Sequence, residues 1–231
     1  MHPFILHIET STELCSVALS RGKQCVAVKE NSEGRNHATV LTSFIEELLA
    51  QQAMHAHQLA AVSFSSGPGS YTGLRIGLSV AKGLCYGGDI PLIAVSTLHA
   101  MCHGLLHQCP EIEENALLCP MIDARRMEVY TALFDIKGNM VKEISAEIIT
   151  GQSFENWLNG QKIYFFGNGA AKCSDIIEHH HAQFVDNFHH SSEYLIPDAL
   201  NAYLTKDFED VAYFEPFYLK DFIAGKPKQM L

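Results

Sequence analysis

The chain has 231 residues, 47% of them hydrophobic, and a formal net charge of −10. That is enough apolar material for one large core or two small ones, and no apolar run reaches the roughly 18–20 residues of a membrane span. The start, Met1-His2-Pro3-Phe4, lacks a basic region and a cleavable apolar segment, so the chain is expected to be cytoplasmic with no membrane partner.

In chain order, Phe4 to Glu9, Cys15 to Ser20 and Lys23 to Lys29 read as three strands joined by tight turns at Thr12-Glu13 and Arg21-Gly22. A helix from Asn36, its predicted cap, to Gln51 carries Val40, Leu41, Phe44, Ile45, Leu48 and Leu49 at helical spacing. Leu59 to Phe64 is a fourth strand. Tyr71 to Tyr86 is a second helix closed by Gly87-Gly88. Pro91 to Val95 is a fifth strand, and Ser96 caps a third helix reaching His107.

The second half repeats the order more loosely. Strands are expected at Ala116–Ile122, Met127–Asp135, Met140–Thr150, Lys162–Phe166 and Gln183–Asp186. Helices are expected at Ser153–Leu158, Gly169–Glu178 and Ser191–Leu204, the last strained by Pro197 unless it begins there. The order βββ-α-β-α-β-α is that of a ribonuclease-H-like unit. Two copies give an α/β fold of the actin-like ATPase (ASKHA) class, with lobes at residues 1–104 and 105–231 and the C-terminal segment packing back on the first.

Residues 1–104 hold six basic and seven acidic side chains, and residues 105–231 hold ten and nineteen. Nucleic-acid binders neutralise phosphates with basic patches, and this chain has none. Its basic tail, Lys220, Lys226 and Lys228, reads as a frayed end. Seven cysteines without a C-x-x-C pair read as reduced, buried thiols.

The run Ser65-Ser66-Gly67-Pro68-Gly69-Ser70-Tyr71-Thr72-Gly73 joins a strand to a helix. Such a turn can offer backbone N–H groups to an anion at a helix N-terminus, with Glu9, Ser66, Gly67, Gly69 and Ser70 as the candidate anion or nucleotide site. It matches neither the Walker A pattern nor G-x-G-x-x-G, since Thr72 stands where the third glycine belongs. Glu9 and Asp123, each at the end of the first strand of its half, are the candidate magnesium ligands. Arg125 and Arg126 could clamp an anion or form a turn salt-bridged to acids such as Glu128. No Ser/His/Asp set and no His-Glu-x-x-His is found. The histidines at 179–181, 189 and 190 read as a solvated loop.

Ile8-Glu9-Thr10-Ser11-Thr12, Cys15-Ser16-Val17-Ala18-Leu19, the Gly67–Gly77 run, Met121 to Tyr130, Phe166-Gly167-Asn168-Gly169 and Pro216 to Lys220 together resemble the TsaB (YeaZ) family. The resemblance implies a non-catalytic subunit in threonylcarbamoylation of adenosine in tRNA. It implies partnership with a TsaD-type paralogue and a TsaE-type ATPase, with tRNA met indirectly through the complex. Older labels for the family are glycoprotease and molecular chaperone. The catalytic paralogues carry a His-x-x-x-His metal motif; here the first helix reads His37-Ala38-Thr39-Val40-Leu41, and one histidine does not make a metal site. The second helix carries only Arg75 and Lys82 as charges between Leu74 and Tyr86. The expected partner surface is therefore His37, Leu41, Ile45, Tyr71, Leu74, Arg75, Leu78 and Lys82. No catalytic residue, metal or cofactor is expected, and ATP with magnesium would enter only within the complex. A small ATPase or peptidase, and a homodimeric binding module, are the alternatives.

Overall fold

A computed structural model describes residues 2–32 and 36–220. Strands β1 (Phe4–Glu9), β2 (Cys15–Arg21) and β3 (Gln24–Asn31) form an antiparallel meander. Helix α1 (His37–Gln51) follows, then β4 (Ala61–Gly67), α2 (Tyr71–Gly88), β5 (Leu92–Ser96) and α3 (Thr97–Gln108). Strands β4 and β5 add parallel to the free side of β1, giving the order β3-β2-β1-β4-β5.

The second half is built the same way. Strands β6 (Leu117–Asp123), β7 (Glu128–Asp135) and β8 (Met140–Ile148) are antiparallel. Helix α4 (Glu155–Leu158), β9 (Ile163–Phe166) and β10 (Ala182–Phe184) follow, with β9 and β10 parallel to β6. The order β8-β7-β6-β9-β10 mirrors the first sheet. Two such mixed five-stranded sheets make the two-lobed, actin-like α/β fold.

The reason for the layers lies in the strand patterns. β1 and β2 are buried at almost every position, so the first sheet needs cover on both faces. On one face, Leu41, Ile45 and Leu48 of α1 and Leu78, Ala81 and Cys85 of α2 pack on Leu6, Ile8, Val17, Val62 and Phe64. On the other, α3 and α5 (Ile196–Thr205) pack on Ile5, Ala61, Ile93 and Val95. Helix α3 faces both sheets, since its Leu98, Met101, Cys102 and Leu105 meet Leu118, Ile122, Phe134 and Phe166 of the second lobe.

Several boundaries differ from the sequence expectations. Asn36 precedes α1 without a side-chain capping bond, and Ser96 precedes α3 likewise, its hydroxyl buried without a partner among the described residues. Helix α2 runs through Gly87-Gly88 and stops at Asp89, which is left-handed at φ 50°. The expected helix 169–178 is a single 3-10 turn, Ala171–Cys173. Pro197 sits in the first turn of α5 behind a separate 3-10 turn, Ser192–Leu195, where its missing N–H costs nothing. Lys226 and Lys228 lie outside the described residues. No helix among the described residues is long and apolar enough to cross a membrane.

Candidate functional site

The glycine-rich run packs directly on the β1–β2 connection. Ser70 caps α2, its hydroxyl accepting from the Gly73 amide at 3.2 Å. The Ser70 amide donates to the Ser11 carbonyl at 2.6 Å, and the Gly67 amide to Thr97 Oγ1 at 3.1 Å. The amides that could cradle an anion at Gly67, Ser70 and Gly73 are thus bonded within the chain. The glycines are there for close approach: a Cβ on Gly69 would stand 2.5 Å from the Ser11 carbonyl oxygen, and one on Gly77 2.3 Å from Thr10 Oγ1. Above Gly67, at φ 114°, a Cβ would meet the Phe217 carbonyl at 2.7 Å, because the chain's last described segment crosses over the turn.

Ser66 belongs to that crossing. Its carbonyl accepts from the Phe217 amide at 2.8 Å, and its hydroxyl donates to the Val95 carbonyl at 3.1 Å. The open hollow beside it, about 660 Å³, is lined by Glu209 and Glu215 as well as Phe214 and Tyr218. Two carboxylates at that hollow repel a phosphate.

Glu9 is fully buried at the end of β1. One carboxylate oxygen accepts from the Ser11 amide at 2.6 Å; the other lies 2.9 Å from His190 Nε2, close but out of line for a hydrogen bond. Burial pushes the Glu9 pKa up, and His190 together with Ser11 outweighs it, so the net shift is downward. Asp123, the matching acid on β6, is half-exposed; it accepts from the Arg125 amide at 2.9 Å and pairs with Lys172. Each acid has its own local partners, and the Gly67, Ser70 and Gly73 amides are bonded within the chain. These amides are thereby not free to cradle a phosphate. Arg125 and Arg126 both have positive φ, 71° and 48°. The cations that pair with Asp123 and Glu128 are Lys172 and Lys220, so the arginines are not the salt-bridge partners of these acids.

The expected partner residues divide between inside and outside. Leu41, Ile45, Leu74 and Leu78 are buried within this chain, at most 7% exposed, and cannot present a docking surface. His37 is half-buried and hydrogen-bonds the Leu14 carbonyl at 3.1 Å, a packing role. Tyr71 meets Tyr218 at a tilt, ring centroids 5.0 Å apart, and receives a bond from Arg75 at 2.9 Å; Lys82 donates to the Ala212 carbonyl at 3.2 Å. The outer face of α2 is instead Thr72, Arg75, Ser79, Gly83 and Tyr86, with Ile76, Val80 and Leu84 partly covered. Between α1 and α2 this face forms a shallow groove of about 450 Å³, lined by Ala38, Tyr71, Arg75, Ile76, Ser79 and Val80. Tyr86, near the C-terminal end of α2, is 87% exposed.

The histidine group also separates. His179, His180 and His181 lie ring against tilted ring on a partly exposed turn. His189 is exposed, as expected, and pairs with Glu30, whereas His190 is buried against Glu9 and does not belong to a solvated loop. All seven cysteines are free, and burial pushes the Cys85 and Cys119 thiols up to about 12.

Comparison with known proteins agrees with this architecture. The family described as "TsaD: tRNA N6-adenosine threonylcarbamoyltransferase" matches residues 28–228. The tRNA threonylcarbamoyladenosine biosynthesis protein TsaB of Haemophilus influenzae is 31% identical, over 96% of this chain and 95% of that protein. TsaB of Bacillus subtilis is 30% identical over 75% of each. Among solved structures, YeaZ from Pseudomonas aeruginosa superposes with a TM-score of 0.78 at 25% identity, covering 94% of this chain and all of that one. On relatedness that spans nearly the whole sequence and the whole fold, the chain belongs to the TsaB (YeaZ) family.

Proposed function

We propose that the chain works in tRNA threonylcarbamoyladenosine biosynthesis as a non-catalytic subunit that docks a TsaD-type paralogue through the α1–α2 face. The role in that modification rests on the TsaB relatives. The non-catalytic reading rests on one observation above all: the turn that would cradle a phosphate is filled by the chain's own Thr10, Ser11 and Phe217. A TsaE-type ATPase joins the assembly, ATP and magnesium enter only there, and tRNA is held mainly by the partners, since this chain is acidic.

The groove lined by Ile76 and Val80, together with the exposed Tyr86 on the same helix, supports docking, because apolar side chains left on a helix face gain by being covered. Without the paralogue, the same face pairs two copies of this chain. A small ATPase or a peptidase is disfavoured by the occupied turn and by the full burial of His7 with its serine partners Ser63 and Ser20, which no substrate reaches. Sedimentation of the chain alone, of a TsaD-type protein alone and of the mixture tests the docking. A mixed complex that replaces the homodimer is expected; two independent species would overturn the reading.

A further inference from the structure

Helix α3 carries His99 and His103 one turn apart, so both imidazoles leave the same side of the helix. That side faces the first turn of α5. His99 Nδ1 lies 2.6 Å from Asp198 Oδ2, and His103 Nε2 lies 3.1 Å from Asp198 Oδ1. The three donor atoms all fall within 4.8 Å of one another. Each side chain is about a quarter exposed, so the group is rigidly framed yet open to an entering ion.

A second observation concerns the far side of the His99 ring. Its Nε2 lies 3.1 Å from the Gly138 carbonyl oxygen, in the turn between β7 and β8 of the other lobe. The Gly138 carbonyl and the Asp198 carboxylate both only accept, so Nε2 donates to Gly138 and Nδ1 to Asp198, and an entering cation replaces the Nδ1 proton. A ring N–H donated to a backbone carbonyl is how proteins orient metal-binding histidines. Gly138 is shaped for this contact: its φ is 86°, and a Cβ there would stand 2.6 Å from His99 Nε2.

We propose that His99, His103 and Asp198 form a binding site for a divalent transition-metal ion of the zinc class, which ties α3 to α5 beneath the β7–β8 turn. Two imidazoles and one carboxylate suit an ion of borderline hardness, such as Zn²⁺ or Co²⁺, and leave a fourth position for water. Metal–ligand bonds of about 2.0–2.2 Å put tetrahedral donor atoms roughly 3.4 Å apart, so Asp198 needs to withdraw from His99 by less than about 1 Å. The pair lies on α3, away from His37 and from Glu9. Because α3 packs on both sheets, an ion here stiffens the joint between the lobes.

The test is titration of untagged full-length chain with CoCl₂, followed by visible absorption. His179, His180 and His181 are first replaced by alanine (H179A/H180A/H181A) to remove that second cluster. The expected result is one Co²⁺ per chain with ligand-field bands, displaced by Zn²⁺, and a Tm raised by Zn²⁺. His103→Gln and Asp198→Asn, separately, should weaken Co²⁺ affinity by at least about tenfold and abolish the rise in Tm. His103 is part-exposed, so its variant serves if Asp198→Asn fails to fold. Binding that vanishes with the 179–181 cluster, or that keeps its affinity in a folded His103→Gln variant, would overturn the proposal.

Discussion

A Cβ built on Gly73 would stand 2.0 Å from the carbonyl oxygen of Thr10, while the Thr10 hydroxyl donates to the Gly73 carbonyl at 2.8 Å. The backbone of α2 therefore lies against the backbone of the β1–β2 connection, and the glycine run exists to permit that contact. Gly73→Ala should destabilise the chain by about 2–3 kcal/mol, because overpacking against backbone cannot be relieved by a rotamer change. Gly83, on the same helix, has nothing within 4 Å of its added Cβ. Gly83→Ala should stabilise by about 0.5–1 kcal/mol through helix propensity alone. Urea unfolding of the two variants checks the pair; equal effects would show that the contact does not constrain the helix.

Leu78 and Ile76 stand two residues apart on α2 and should behave oppositely. Leu78 is 7% exposed and packed in the first core, so Leu78→Ala should cost about 2–5 kcal/mol. Ile76 lines the groove and is partly exposed. Ile76→Glu should leave folding nearly unchanged while abolishing association with a TsaD-type partner. Thermal unfolding and sedimentation of both variants separate the roles. An Ile76→Glu variant that unfolds like the Leu78 variant would place that residue in the core.

The outcome at these positions also shows how much was legible in the sequence. Strand positions, helix starts and the duplicated order follow from periodicity and turn residues, and all ten strands lie within a few residues of their expected places. Which side of α2 faces inward did not follow from its apolar content, since nearly every position is apolar or small. The signal was in the exceptions. Gly73, Gly77 and Ala81 fall on one stripe with Leu74 and Leu78, while Thr72, Arg75, Ser79, Gly83 and Tyr86 fall on the other. The helix expected at 169–178 failed for a local reason. Gly167, at φ 100°, and Gly169 sit hard against Met121, Ile122 and Asp123, and this close seat leaves only one turn, anchored by Cys173. The partners of Glu9 and His99 come from His190 and Asp198, far along the chain, and no spacing rule reaches that distance.

His7 is fully buried in β1, with Nδ1 2.7 Å from Ser63 Oγ and Nε2 2.8 Å from Ser20 Oγ. Burial pushes its pKa down to about 3, so it stays neutral in the folded chain. In the unfolded chain it protonates below about pH 6.5. The unfolded state then binds more protons, so stability is undiminished above pH 6.5 and falls by about 1.4 kcal/mol per pH unit from there toward pH 3. His99, held up by its bond to Asp198, titrates with the opposite sign. Comparison of the parent with His7→Gln isolates the His7 part. Between pH 7 and pH 5 the variant should lose about 2 kcal/mol less than the parent, measured by urea unfolding at each pH; identical losses would mean that His7 is accessible to protons in the fold.

The last described segment straps the first lobe. Glu209 bonds the Leu92 carbonyl, Phe214 meets Phe64 edge-on at 5.6 Å, and the Phe217 amide bonds Ser66. Phe214 is only partly buried, so Phe214→Ala should cost about 1–3 kcal/mol, below the full value for a core aromatic. It should also speed amide hydrogen exchange at Phe217, because the strap loses its anchor. Unchanged exchange there would mean the strap is held by its backbone bonds alone.

The docking reading is tested most directly by reconstituting tRNA threonylcarbamoylation from a TsaD-type transferase, a TsaE-type ATPase, tRNA and the activated threonylcarbamoyl donor. The reaction is run with this chain, without it, and with its Ile76→Glu variant. Modification is expected to depend on the chain and to be lost with the folded variant. Equal modification in all three reactions would contradict a docking subunit that acts through the α1–α2 face.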